Sequence, residues 1–299
     1  MAGAAALRTG HRCYGGHLGF YSHASAATAT TMNFGLYLPP QAATRKVPAL
    51  YYLAGLTCNE ETFLIKAGAL RLAAQWGLAL VAPDTSPRGA GIAGEDAEWD
   101  FGVGAGFYVD ATEQPWAGHY RMHHYVTQEL PPLLEAQFPI EAQRRGIFGH
   151  SMGGHGALAI ALRDPAAWHS LSAFAPICNP AAVPWGQKAF SRYLGGDRDA
   201  WLRYDASALM RQRRYPGPIL VDQGLDDRFL QDQLHPEALE SAAHASGQEL
   251  ELRRHPGYDH SYWFIQTFIA DHLAWHARQL GRAHSAVAGG QGAGATSIR

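Results

Sequence analysis

The chain has 299 residues, 47% of them apolar, which suits one large buried core or two small ones and excludes disorder as the main state. Its 24 Lys and Arg stand against 26 Asp and Glu for a formal charge of −2, with no basic run, so no nucleic-acid partner is expected. No stretch nears the roughly 18 apolar residues that cross a bilayer, and the opening MAGAAALRTG is too short an apolar segment for a secretory leader, so no membrane partner and a cytoplasmic location are expected.

In chain order, short runs rich in Val, Ile, Leu, Tyr and Phe alternate with helix-period segments from residue 32 to 280. That rhythm predicts strand-helix-strand crossovers, a mainly parallel sheet and an α/β sandwich with helices on both faces. The predicted strands are Met32 to Leu38, Ala49 to Leu53, Leu78 to Ala82, Arg145 to Phe148, Ser170 to Phe174, Ile219 to Asp222 and Glu249 to Arg253. A helix is predicted over Thr62 to Trp76, with Phe63, Leu64, Ala67, Leu70 and Ala74 on one face, and another over Tyr262 to Leu280, with Ile265, Phe268, Ile269 and Leu273. His119 to Phe138 is helical in character, but Pro131 and Pro132 remove two donors and should restart it near Leu130. The glycine-rich segment from Pro83 to Trp116 carries Trp99, Phe101, Phe107 and Tyr108, and is expected to be ordered surface near a binding site. From Ala283 to Arg299 there is no periodic apolar face, and a mobile tail is expected.

The most informative stretch is Gly149-His150-Ser151-Met152-Gly153, a G-x-S-x-G following an apolar strand and opening a helix over Gly156 to Leu162. A sharp strand-to-helix turn forces the serine into strained angles, and the flanking glycines keep neighbouring Cβ atoms apart. Ser151 is therefore the candidate nucleophile. A serine hydroxyl needs a base, and His260, in the glycine turn Gly257-Tyr258-Asp259-His260 after the last predicted strand, is where one belongs. His255, His272 and His276 read as surface or packing histidines. The acid should follow the penultimate strand, where Asp226 and Asp227 both stand just past Gly224; Asp227 is preferred. Two oxyanion donors are assigned by position, the N–H of Met152 and the N–H of Leu56 after the Ala49 to Leu53 strand. The chain order serine, aspartate, histidine is that of an α/β-hydrolase fold.

Three cysteines at positions 13, 58 and 178 read as free thiols, and Cys58, two residues past Leu56, reads as a thiol beside the pocket. Trp185 is a second candidate for the pocket wall. His119 with His123 and His272 with His276 have the i, i+4 spacing of metal ligands, but neither pair has an identifiable third ligand, so no metal is expected.

Several motifs together resemble the S-formylglutathione hydrolase family, also called esterase D. They are Gly55-Leu56-Thr57-Cys58, the run from Ala82 to Gly89, Gly94-Glu95-Asp96, Trp99-Asp100-Phe101-Gly102, Gly104 to Thr112, Gly149 to Gly156, Ala173 to Pro180, and Gly257 to Tyr262. The resemblance spans about residues 10 to 280 as a single catalytic domain, leaving 281–299 as tail; the departures are the first nine residues, that tail, and Ala54 where the family usually has serine. It implies a soluble, cofactor-free enzyme that hydrolyses S-formylglutathione to glutathione and formate in formaldehyde detoxification, with Ser151, Asp227 and His260 as triad; a homodimer is a candidate assembly that neither the residues nor the resemblance decides. A general carboxylesterase, an acyltransferase or a silent ligand-binding member of the fold remain alternatives.

Overall fold

Each of the seven apolar runs read from the sequence forms a strand of one nine-stranded sheet, in a computed structural model that describes residues 3–290, with only the backbone course given for 282–290. The strands are β1 (Ala6–Cys13), β2 (Gly16–Ala24), β3 (Thr31–Leu38), β4 (Val47–Leu53), β5 (Ala79–Pro83), β6 (Ile140–His150), β7 (Ser170–Phe174), β8 (Ile219–Gly224) and β9 (Leu250–His255). Their order across the sheet is β1-β2-β3-β5-β4-β6-β7-β8-β9. From β5 to β9 every neighbouring pair is parallel, and β1, β2 and β3 add an antiparallel flap at one edge. β4, β5, β7 and β8 are buried at every residue, which is why they read as unbroken apolar runs rather than alternating ones.

The helices are α1 (Thr62–Lys66), α2 (Leu70–Trp76), α3 (Met122–His124), α4 (Leu130–Gln137), α5 (Met152–Arg163), α6 (Pro184–Tyr193), α7 (Arg198–Leu202), α8 (Ala206–Gln212), α9 (Pro236–Ser246) and α10 (Tyr262–Gly290). The single helix expected over Thr62 to Trp76 is two, because Gly68 adopts φ +68° between them. A π-type turn at Tyr125–Glu129 joins α3 to α4, which starts at Leu130 with the two prolines in its first turn, where their missing N–H groups cost nothing. α10 runs past the expected end at Leu280 to Gly290, so the predicted tail begins as helix, and its remainder, 291–299, lies outside the described residues. Among the described residues no helix is long and apolar enough to cross a membrane.

α5 packs on β4, β6 and β7 together with α8, whereas α10 packs on β6, β7 and β8 together with α2, giving a helical layer on each face. The α10 seam is polar as well as apolar. Alternate β7 residues Ser170, Ser172 and Phe174 point at it: His276 binds the hydroxyls of Ser170 and Ser172 at 2.7 and 2.8 Å, His272 binds Ser172 at 2.8 Å and Asp222 at 3.2 Å, and the His272 ring stacks on Phe174. All four ring nitrogens are thus engaged by the fold, so the His272 and His276 pair is packing, not ligand. His119 lies outside α3 and binds the Thr28 carbonyl, while His123 faces Asp110, so that pair shares no helix face. Burial would raise the Asp222 carboxyl, but hydrogen bonds from His272 and Arg253 overcome this and hold it below the usual carboxylate range.

Candidate active site

Three loops at the carboxyl edge of the parallel strands build the site, the position where open α/β sheets place their ligands. β6 ends at His150 and α5 begins at Met152, so Ser151 alone makes the turn, with φ 58° and ψ −119°. A non-glycine residue in that region costs on the order of 1–3 kcal/mol and persists only where its surroundings fix it. Here the Ser151 N–H donates to the Phe174 carbonyl at 3.0 Å, and its own carbonyl accepts from His155 and Ile177 at 3.0 and 3.3 Å. The segment after β4 crosses the same turn so closely that a Cβ on Gly153 would lie 1.9 Å from the Leu53 carbonyl oxygen and 2.6 Å from that of Ala54. Both are backbone atoms that cannot swing away. Gly153→Ala should therefore push the serine turn away from the Leu56 loop, lower the melting temperature, and reduce kcat by at least about tenfold; a variant with native melting and turnover would show that the crossing is not tight.

The second loop follows β8. Asp226 and Asp227 diverge: Asp226 accepts from the Gly257 N–H at 3.2 Å and ties down the neighbouring loop, while Asp227 is buried and accepts from the Phe229 N–H at 2.9 Å. The third loop, after β9, carries His260, whose Nδ1 lies 2.5 Å from the other Asp227 oxygen. That contact fixes the imidazole orientation and leaves Nε2 toward the cleft. Asp259 accepts from the Ser261 N–H and hydroxyl, and Ser261 in turn caps α10 by accepting from Trp263, so the loop is stapled on both sides of His260.

Ser151 and His260 border one cleft of about 350 Å³, with Gly55, Leu56, Thr57, Cys58, Trp99, His150, Trp185, Arg228, Phe229, Ser261 and Tyr262 as the other walls. The Ser151 hydroxyl makes no hydrogen bond to His260 in this arrangement. Two amides suit an anion. Met152 opens α5, so its N–H has no intrahelical acceptor and sits at the positive end of the helix dipole. In the Leu56 loop, the Thr57 N–H is committed to the Gly104 carbonyl and the Cys58 N–H to Gly55, whereas the Leu56 N–H has no acceptor among the described residues.

The glycine-rich segment is ordered beneath the site. Phe101, Phe107 and Tyr108 are buried, and the Tyr108 hydroxyl donates to the Ala54 carbonyl at 2.9 Å, bracing the Leu56 loop. Trp99 instead stays exposed and meets Trp185 edge-on across the cleft. Cys58 is half-buried, and burial pushes its thiol up, which disfavours the thiolate that a nucleophile would need. His150, Phe229, Arg228 and Tyr262 were not singled out by sequence reasoning; each adjoins a triad position or lies two residues from one, and that adjacency was the available signal. His150 is 4.4 Å from His260, ring centre to ring centre, and burial together with the His260 charge keeps it neutral.

Comparisons with known proteins agree with this architecture. The family model described as "Putative esterase" matches residues 25–275. The chain is 55% identical over 271 residues to the S-formylglutathione hydrolase of Paracoccus denitrificans (strain Pd 1222), covering 91% of this chain and 96% of that one. It is 53% identical over 274 residues to the S-formylglutathione hydrolase of Rattus norvegicus, covering 90% and 96%. The solved structure of an S-formylglutathione hydrolase from Agrobacterium tumefaciens superposes with a TM-score of 0.89 at 46% identity, covering 92% of this chain and 99% of that one. The chain belongs to the S-formylglutathione hydrolase family of esterases.

Proposed function

We propose that this protein is a serine hydrolase that cleaves the thioester S-formylglutathione to glutathione and formate. The observation that carries the reading is the Asp227 and His260 pair facing the strained Ser151 across one cleft, in a chain 55% identical to a protein of that name. Ser151 Oγ attacks the thioester carbonyl carbon while His260 Nε2 takes its proton, and Asp227 holds the imidazole tautomer and steadies the imidazolium. The N–H groups of Leu56 and Met152 bind the oxyanion. The C–S bond then breaks and glutathione leaves as its thiol, taking the proton from His260, or as its thiolate, in which case His260 gives that proton to solvent before it can act as a base again. A thiol of pKa about 8.5 is a far better leaving group than an amine, so protonation matters less here than in peptide cleavage. Water, deprotonated by His260, attacks the formyl ester of Ser151, and formate leaves as the serine regains its proton.

The three free cysteines and the small-molecule substrate accord with a cytoplasmic enzyme, and a homodimer is the assembly that accompanies the reading. The carboxylesterase, acyltransferase and silent-binder alternatives have no support among the relatives described above. Comparing S-formylglutathione with S-acetyl and longer S-acyl glutathiones tests the acyl preference. With Trp185 and Leu56 closing on the serine, each added methylene should lower kcat/KM by at least about tenfold. A flat profile, or turnover of simple acetate esters faster than of S-formylglutathione, would overturn the assignment.

A further inference from the structure

Arg228 stands between the acid Asp227 and Phe229 in the loop after β8, and its guanidinium rests over the Phe229 ring at 4.6 Å from the ring centre. Phe229 itself meets His260 edge-on at 5.1 Å and Trp185 at 4.7 Å, so the guanidinium is anchored a single side chain away from the reacting groups. It has no carboxylate within ion-pair distance and no hydrogen bond among the described residues, and no other Lys or Arg lines the cleft. An exposed arginine that stacks on an aromatic ring but has no acid beside it among the described residues is an open fork for a carboxylate.

Behind it, a second hollow of about 360 Å³ is lined by Asp226, Arg228, Phe229, Asp259, His260 and Ser261. Four of these residues also line the cleft, so the two spaces adjoin. Asp226 and Asp259 each spend one oxygen on the backbone, on Gly257 and Ser261, and the second oxygen of each accepts no hydrogen bond among the described residues. One guanidinium beside two half-free carboxylates is complementary to a carbon bearing both a carboxylate and an ammonium. In glutathione only the γ-glutamyl end has that pair; the glycyl end offers a carboxylate alone.

The geometry points to this hollow as the subsite for the γ-glutamyl α-amino acid group of the glutathione moiety, with Arg228 taking its carboxylate and Asp226 and Asp259 its ammonium. The inference rests on the proposed activity and adds the direction in which the leaving group lies. It also gives the loop after β8 two tasks within three consecutive residues: Asp227 orients the base, and Asp226 and Arg228 hold the γ-glutamyl end of the leaving group.

The test compares kcat/KM for S-formylglutathione with that for a small neutral ester lacking the peptide, in the full chain and in Arg228→Ala, Arg228→Lys and Asp226→Asn/Asp259→Asn. The ratio of the two values should fall about 10- to 100-fold in Arg228→Ala, chiefly through KM, and recover in part with lysine. S-formylglutathione acylated on its γ-glutamyl amine should be a poorer substrate for the parent, and the paired asparagine variant should lose this discrimination; esterifying the glycyl carboxylate should matter little. Loss on glycyl esterification instead, or an unchanged ratio in Arg228→Ala, would overturn the subsite. If the parent cleaves the neutral ester but not S-formylglutathione, the proposed activity fails and the subsite with it, whereas normal turnover with an insensitive Arg228→Ala removes the subsite alone.

Discussion

Ser151→Ala is expected to lower kcat for S-formylglutathione by about 10⁴- to 10⁶-fold while leaving the melting temperature within a few degrees of the parent. Both halves follow from the same geometry. Among the described residues the Ser151 hydroxyl makes no hydrogen bond, so removing it orphans no polar group there. The backbone bonds to Phe174, His155 and Ile177 that hold the turn at positive φ are made by atoms alanine also has, and the strain is common to both residues. What disappears is the atom proposed to form the acyl intermediate. The proposed oxyanion amides of Leu56 and Met152 would remain and are expected to set the residual rate. Thiol release in steady-state assays, labelling by a fluorophosphonate probe and a thermal melt check the three parts. Residual thioesterase activity above about 1% of the parent, in a variant that melts normally, would mean that another group is the nucleophile. Cys58 would be the first to examine, though burial disfavours its thiolate.

The parallel half of the sheet was legible because its strands are buried on both faces and their apolar runs are unbroken. The flap was not. Seven of the eight residues of β1 are exposed, and its sequence, Ala-Leu-Arg-Thr-Gly-His-Arg-Cys, has neither an apolar run nor an alternation; it is a strand because it pairs with β2, a tertiary cause that leaves no local mark. β2 carries Phe20 and Tyr21 but is broken up by Gly16 and Gly19, and its register is set by β3. At the site, the elbow, the acid loop and the histidine loop each carried glycine punctuation after a strand, a signal that survives in one dimension. The choice between Asp226 and Asp227 did not have that support. It depends on which carboxylate turns inward, and the decisive fact is that Asp226 is held by Gly257, on a loop 31 residues away. Arg228 and Phe229 were passed over for a similar reason: an arginine beside a catalytic acid reads as a solvated charge until the hollow behind it is seen.

Acid should unfold this protein through its buried histidines rather than its carboxylates. His23, His150, His155, His272 and His276 all have their pKa lowered, in each case first by burial, and His155 falls to about 4. The unfolded chain binds a proton at each near pH 6.5 while the native state stays neutral, so stability is intact above that pH and is lost as the pH falls below it. For His155 the displacement from 6.5 to about 4 corresponds to about 3 kcal/mol once the pH is below both values. Each such histidine steepens the decline by about 1.4 kcal/mol per pH unit, so several acting together can exhaust a typical stability of 5–15 kcal/mol well above pH 4. Asp84 and Asp205, raised by burial, work in the opposite sense but only near the carboxylate range, and Asp222, held low, adds a further loss there. Urea unfolding at pH 7.5, 6.5, 5.5 and 5.0 should show a midpoint that is flat at first and then drops steeply. His155→Gln should lower stability at neutral pH, because it disturbs the packing and the bond to the Phe107 carbonyl, yet make the decline shallower by about 1.4 kcal/mol per pH unit. A midpoint unchanged from pH 7.5 to 5.0 would mean that these rings are protonated or solvated in the native protein. The neutral His150 in the cleft wall would then have to be abandoned as well.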